Sequence, residues 1–219
     1  MTDDKLSQQK LESYLWECAQ SLRNKIDPGD YKVYIFPMLF YKRVSDVYDE
    51  EYESLLAETN DEKYASNPIN HTFVIPEGCH WSDLRKVTKD VGLRIQKSMQ
   101  EIGKANAKKG LYDIFGDTNW GYKERLSDET LIDLIEHFST QKLTTDRVPN
   151  DQMGEGYEYL IKKFADDSGH TAAEFYTNRT LVSLMTELLK PQPNETIYDP
   201  TCGSGGMLLE AVNYLKRNK

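Results

Sequence analysis

The strongest constraint on the fold is the segment Thr196-Ile-Tyr-Asp199-Pro200-Thr201-Cys-Gly203-Ser204-Gly205-Gly206-Met-Leu-Leu-Glu210. A short β-prone run leads into closely spaced glycines. A helical pattern then carries Leu208, Leu209, Val212 and Leu215. Strand, glycine turn and helix form the opening unit of an open α/β sheet, where ligands bind at the carboxyl end of the strand. Glycine removes the side chain, so the backbone can approach a ligand closely. Two frequent ligand classes fail on spacing. A dinucleotide fingerprint needs glycine at position 208, where Leu208 stands, and no Gly-Lys-Ser/Thr follows for a phosphate loop. The turn on its own fits a different cofactor or a purely structural role in another α/β protein.

Upstream, the hydrophobic spacing is helical. Leu11, Tyr14, Leu15, Cys18, Ala19, Leu22 and Ile26 share one face, and Asp27-Pro-Gly-Asp30 ends it. Tyr31 to Tyr48 predicts a second helix, bent or restarted at Pro37, whose nitrogen carries no hydrogen. The acidic stretch Asp46–Glu53 reads as its solvated face. Thr72–Pro76 reads as a short strand or extended segment. Leu84, Val87, Val91, Ile95, Met99 and Ile102 predict a third helix with Ser82 as N-cap. Positions 108–121 read as loop. Ser127 opens a helix with Asp128 and Glu129 in its first turn and Leu131, Leu134, Ile135 and Phe138 on its apolar face. Residues 1–150 therefore read as a helical bundle, a fold with no reaction of its own. Thr144–Gly154 is a candidate linker into a short helix with Tyr157, Leu160, Ile161 and Phe164 facing inward.

The charge balance narrows the function. Net charge is −9, so the chain lacks the basic surface of a free-standing DNA binder. Any nucleic-acid role would need a local basic patch, a basic partner or further chain. The three cysteines are far apart and form no Cys-x-x-Cys pair, which argues against a zinc ribbon and fits a reducing cytoplasm. No metal site is expected. The polar N-terminus carries no signal peptide, and no apolar run nears the ~18 residues that span a membrane.

A second element joins the glycine turn. Glu174-Phe175-Tyr176-Thr177-Asn178-Arg179 precedes an amphipathic helix with Leu181, Val182, Met185, Leu188 and Leu189. Core aromatics are its plain reading. Placed ahead of Asp199-Pro200-x-x-Gly203-x-Gly205, it resembles the Glu-Phe-Tyr-Thr-Pro-Arg motif of type I restriction–modification methylation subunits, which are N6-adenine DNA methyltransferases. Asn178 departs from the usual proline. Tyr31 to Asp46 resembles that family's N-terminal helical domain, and Tyr157–Ile161 its lead-in to the methyltransferase domain. The likeness covers nearly the whole chain.

The resemblance implies a mainly α bundle at 1–150. At 151–219 it implies the opening β-α unit of an incomplete Rossmann-like methyltransferase domain. It implies S-adenosyl-L-methionine as cofactor, held by Glu174, Phe175, Tyr176, Thr177, Asp199, Pro200, Thr201, Gly203, Ser204 and Gly205. In the family Phe175 would pack on the cofactor, Thr177 would bond its carboxylate, and the acid at the strand end would lie near its ammonium. Implied partners are DNA, a specificity subunit, a second modification subunit and a restriction subunit. The family's Asn-Pro-Pro-aromatic motif acts on an adenine flipped from the duplex. It is absent here, the sole Asn-Pro being Asn67-Pro68. The chain is therefore expected not to methylate DNA alone, and its last ~25 residues to be less well packed than the bundle. A non-catalytic module docking on the specificity subunit is the alternative.

Overall fold

The computed structural model describes residues 5–167, 177–203 and 205–218, with only the backbone at Pro28 and Ala165. Nine α-helices and three short 3-10 turns are assigned among the described residues, and no strand. The chain divides into two compact units, Met1–Gln152 and Met153–Lys219. No helix among the described residues is long and apolar enough to cross a membrane.

No strand forms at Thr72–Pro76, which leaves its extended-segment alternative, and none forms at Thr196–Tyr198. A lone strand leaves its backbone groups without a ladder. At Thr72–Pro76 a side chain supplies the partner instead. The Asn106 carboxamide oxygen accepts from Val74 N at 2.8 Å, and its Nδ2 donates to Val74 O at 2.8 Å. Asn106 is fully buried, and Nδ2 also donates to Ile102 O. Thr196–Tyr198 likewise has no ladder, so the expected β-α opening unit is represented by its turn and helix.

In the first unit, α1 (Gln8–Gln20) buries Leu11, Tyr14, Leu15, Cys18 and Ala19. It stops short of the expected Ile26, where Ser21 Oγ donates to Cys18 O and Asn24 turns left-handed. The second helix, α2 (Tyr31–Thr59), runs through Pro37 without a restart. Proline leaves the carbonyl four residues earlier without its helical donor. That carbonyl belongs to Val33, and the Thr118 hydroxyl donates to it at 3.1 Å. A distant loop thus supplies the bond that the helix lacks.

The acidic face of α2 is not simply solvated. Asp46 is buried, pairs with Lys42 and accepts from Leu143 N at 2.6 Å. Glu50 accepts from Thr145 N and Asp146 N, and Glu51 accepts from Thr72 N. Arg43 donates to Leu143 O, Thr144 O and Asn150 Oδ1. The segment expected as a linker is therefore fastened to α2 by three side chains, Arg43, Asp46 and Glu50, and helix resumes at Asn150.

The expected Ser82-capped helix is two helices. A single α-turn, α3 (Glu62–Ala65), follows α2; a second, α4 (Trp81–Leu84), precedes α5 (Val91–Ala105). Asp90, before α5, is left-handed and makes no side-chain cap. Its place is taken by Asp128, which accepts from Val91 N at 2.9 Å and Asp90 N at 3.1 Å while Lys123 holds it at 3.0 Å. Asp128 is also the first residue of α6 (Asp128–Ser139), whose N-cap is Ser127 as the sequence predicts. One carboxylate thus serves two helix starts. The Lys123 ammonium holds this carboxyl below the usual carboxylate range. Asp128→Ala is expected to cost about 1–2 kcal/mol in urea denaturation, the size of a lost N-cap. Because the folded value is depressed, that contribution is present above the ordinary carboxylate range and fades as pH falls through the folded value.

The second unit holds α7 from Met153 onward (the whole helix is Asn150–Asp167), α8 (Arg179–Leu189) and α9 (Gly206–Arg217). Leu160 and Phe164 are buried as expected, whereas Tyr157 is exposed. The apolar stripe of α8 is largely open: Leu188 is 74% and Leu189 79% exposed, with Val182 buried. On α9 only Ala211 is buried among the described residues. This unit is less well packed than the first.

Candidate cofactor site

The site begins where α8 ends. Lys190 closes that helix in the left-handed region, its amide donating to Thr186 O at 2.9 Å. A turn closed by Glu195 N donating to Gln192 O leads into Thr196–Tyr198. Asp199 then folds its carboxylate back on the turn, where Oδ1 accepts from Thr201 N at 3.0 Å and lies 3.4 Å from the Thr201 hydroxyl. Such a self-capped turn is a standard aspartate device. It fixes one carboxylate oxygen, Oδ1, within the turn.

Two glycines carry the rest of the turn. Gly203 has φ +51° and Gly205 φ +77°, a region that L side chains enter only at a cost. Gly205 N donates to Cys202 O at 2.7 Å, and Gly205 O accepts from Leu209 N as α9 starts. A Cβ on Gly205 would meet nothing within 4 Å, and one on Gly203 only Thr201 O at 3.9 Å. The glycines are therefore required by backbone conformation, and the space beside them is open to a ligand.

A cavity of about 480 Å³ lies between α8, the 195–200 segment and α9. Asp199 and Pro200 line it together with Met185, Leu189, Ile197 and Met207. Its size is within the range of small-molecule sites. Thr201, Gly203, Gly205 and Thr177 are not part of its wall. Thr177 is exposed, just ahead of α8. Glu174, Phe175, Tyr176 and Ser204 lie outside the described residues.

Asn178, the departure from proline, has a function in the fold. Its φ of −55° is one that proline also adopts, and its side chain caps α8 by accepting from Thr180 N at 2.9 Å.

Sequence reasoning missed Glu158 and Arg179 as a pair. Arg179 Nε donates to Glu158 Oε2 at 2.9 Å, and Nη2 lies 2.7 Å from Oε1. Oε1 also stands 3.2 Å from where a Cβ on Gly206 would be. A carboxylate therefore lies against the first residue of α9. Helix N-termini that bind phosphates keep that place for the ligand's own negative charge. Here an ion pair of the protein already lies beside it, with Arg179 Nη1 3.6 Å from the same Cβ position, so the place is not left clear for a pyrophosphate.

Comparison with known proteins identifies the family. Residues 11–138 match the family described as HsdM N-terminal domain, and residues 148–219 match the N-6 DNA Methylase family. The type I restriction enzyme MpnII methylase subunit of Mycoplasma pneumoniae is 27% identical over 95% of the chain and 45% of its own length. The MjaIX methylase subunit of Methanocaldococcus jannaschii is 25% identical over 95% of the chain and 40% of its own length. A type I restriction-modification system methyltransferase subunit from Streptococcus thermophilus superposes with a TM-score of 0.72. It is 24% identical, with 96% of this chain and 50% of that one covered, so this likeness concerns the fold. The chain spans less than half the length of the two curated relatives. With more than half of its residues in the first family match and most of the remainder in the second, the chain belongs to the family of type I restriction–modification methylase subunits.

Proposed function

We propose that the turn 199–206 and the segment 174–177 hold S-adenosyl-L-methionine, and that the chain serves adenine-N6 methylation of DNA in a type I system. The observation that carries this is the open glycine turn beside the cavity lined by Asp199 and Pro200, with the Glu158–Arg179 ion pair against the start of α9. Bound there, the cofactor supplies a methyl group on a sulfonium. This chain's own part is to hold and orient: Gly203 and Gly205 give backbone approach, Asp199 offers a carboxylate oxygen, and Thr177 offers a hydroxyl. The boundary near residue 150 would separate a helical domain from the methyltransferase domain.

Methyl transfer itself needs a group that holds the adenine amine beside the sulfonium. Asn67-Pro68 is not that group, because it forms an exposed 3-10 turn in the first unit, with Asn67 Oδ1 accepting from Ile69 N. The 219-residue chain is thus expected to bind cofactor without transferring tritiated methyl groups to DNA. DNA recognition would rest with a specificity subunit, in keeping with a net charge of −9. A second modification subunit and a restriction subunit complete the proposed assembly, and the proposed location is the cytoplasm.

Calorimetry tests the binding claim. Saturable heat with S-adenosylmethionine and none with NAD is expected, and Gly205→Ala should weaken binding by about tenfold, because an L side chain at that φ costs ~1–2 kcal/mol. Heat with NAD and none with S-adenosylmethionine would overturn the assignment.

A further inference from the structure

We propose that Glu158 and Arg179 are a positioning pair that locks the two walls of the cofactor site to each other. The inference rests on the cofactor reading above but has its own test. The pair joins three helices of the second unit at one point. Glu158 comes from the middle of α7, Arg179 is the first residue of α8, and both reach the first residue of α9. A Cβ on Gly206 would stand 3.2 Å from Glu158 Oε1 and 3.6 Å from Arg179 Nη1. The glycine is what lets the ion pair lie directly on the helix start.

The geometry is restrictive. Both carboxylate oxygens meet the guanidinium, a fork that fixes direction as well as distance. The Glu158 side chain is 11% and that of Arg179 34% exposed, so the pair is partly shielded from solvent. Arg179 stands two residues after Thr177, and Gly206 directly follows Gly205. Setting the pair therefore sets the backbone beside Thr177 and at Gly205, which lie far apart in the sequence. The carboxylate also places negative charge at the positive end of α9. Lysine cannot reproduce the fork, and glutamine cannot reproduce the charge.

The test uses the 219-residue chain with Glu158→Gln and, separately, Arg179→Lys. Amide hydrogen exchange is read at Gly205–Leu209, in the remainder of α7 to α9, and in the first unit. Exchange at Gly205–Leu209 should rise about tenfold in both variants, as for one lost charge-assisted hydrogen bond. The centres of α7 and α8 and the first unit should not change. A merely stabilising ion pair would raise exchange throughout the second unit, and that result, or no change at Gly205–Leu209, overturns the proposal. The S-adenosylmethionine dissociation constant is the second readout, expected to rise about tenfold in each variant. If the unaltered chain binds no cofactor, the cofactor reading falls while exchange still decides whether the pair positions the turn. If it binds and both variants bind equally well, the pair has no positioning role.

Discussion

Gly92→Ala is expected to destabilise the first unit by at least ~3 kcal/mol, although alanine ordinarily improves a helix. In an unobstructed helix the change is favourable by ~0.5–1 kcal/mol, because glycine loses more backbone freedom on folding. At position 92 packing overrides propensity. A Cβ there would lie 2.7 Å from the Trp120 carbonyl carbon and closer still to its oxygen. The obstacle is backbone, so no rotamer relieves it. Trp120 is also anchored, since it is 3% exposed and its ring meets Tyr34 edge to face with centroids 5.2 Å apart. Eleven residues along α5, a Cβ on Gly103 would stand 2.8 Å from Tyr112 O. The two glycines form the track on which the 111–121 loop crosses the helix. Overpacking a tight site costs ~1–3 kcal/mol, and more when the main chain must move. Gly154→Ala in α7 is the control. Its nearest neighbour would be Leu209 Cδ1 at 3.9 Å, so it should stabilise by ~0.5–1 kcal/mol. Urea midpoints of the two variants should move in opposite directions. A Gly92→Ala chain as stable as the unaltered one would mean that the loop does not rest on α5.

The same contrast explains what could be read from sequence. Helix α6 was legible because its signals are local: a serine cap, two acids in the first turn and a regular apolar face. The continuity of α2 through Pro37 was not, because it depends on a Thr118 hydroxyl 85 residues from the carbonyl it satisfies. β-propensity at Val74 correctly marked a backbone in need of partners, but the partner is the Asn106 side chain. The acids of α2 were legible as helical. Their assignment to solvent failed because which of them meet the 143–146 and 70–72 segments depends on tertiary docking.

At the site, the glycine turn was legible because left-handed backbone selects glycine wherever it occurs. Asp199 and Pro200 do line a cavity, and the turn leads straight into α9. Arg179 closes the Glu-Phe-Tyr-Thr-x-Arg motif, but its partner Glu158, 21 residues away, had no local signature, so the fork was not legible.

The second large effect is expected at Asp46. Its carboxylate is 8% exposed, is bonded to Leu143 N and is paired with Lys42, itself 3% exposed. Asp46→Ala leaves a buried ammonium without its paired carboxylate, a change that costs ~3–5 kcal/mol. The loss should spread to the 141–150 segment, because the Leu143 amide is released from α2. Burial pushes the Asp46 carboxyl up and the Lys42 ammonium down, each pulled back by the other. The pair is therefore expensive to desolvate, and replacing both residues by apolar ones, Lys42→Met with Asp46→Leu, should be far less damaging than the single change. The pH dependence of the single variant follows from the lysine. Burial already lowers the lysine below its ordinary 10.5, and loss of Asp46 lowers it further, so the penalty is larger at neutral pH than at alkaline pH. It shrinks as pH rises from the folded value toward 10.5 and is gone only above that range, where Lys42 is neutral in both states. Urea denaturation of Asp46→Ala at pH 7 and near pH 10 checks both points. A loss below ~1 kcal/mol at pH 7, or one that grows with pH, would show that the Lys42 ammonium finds solvent and that Asp46 does not hold the segment to α2.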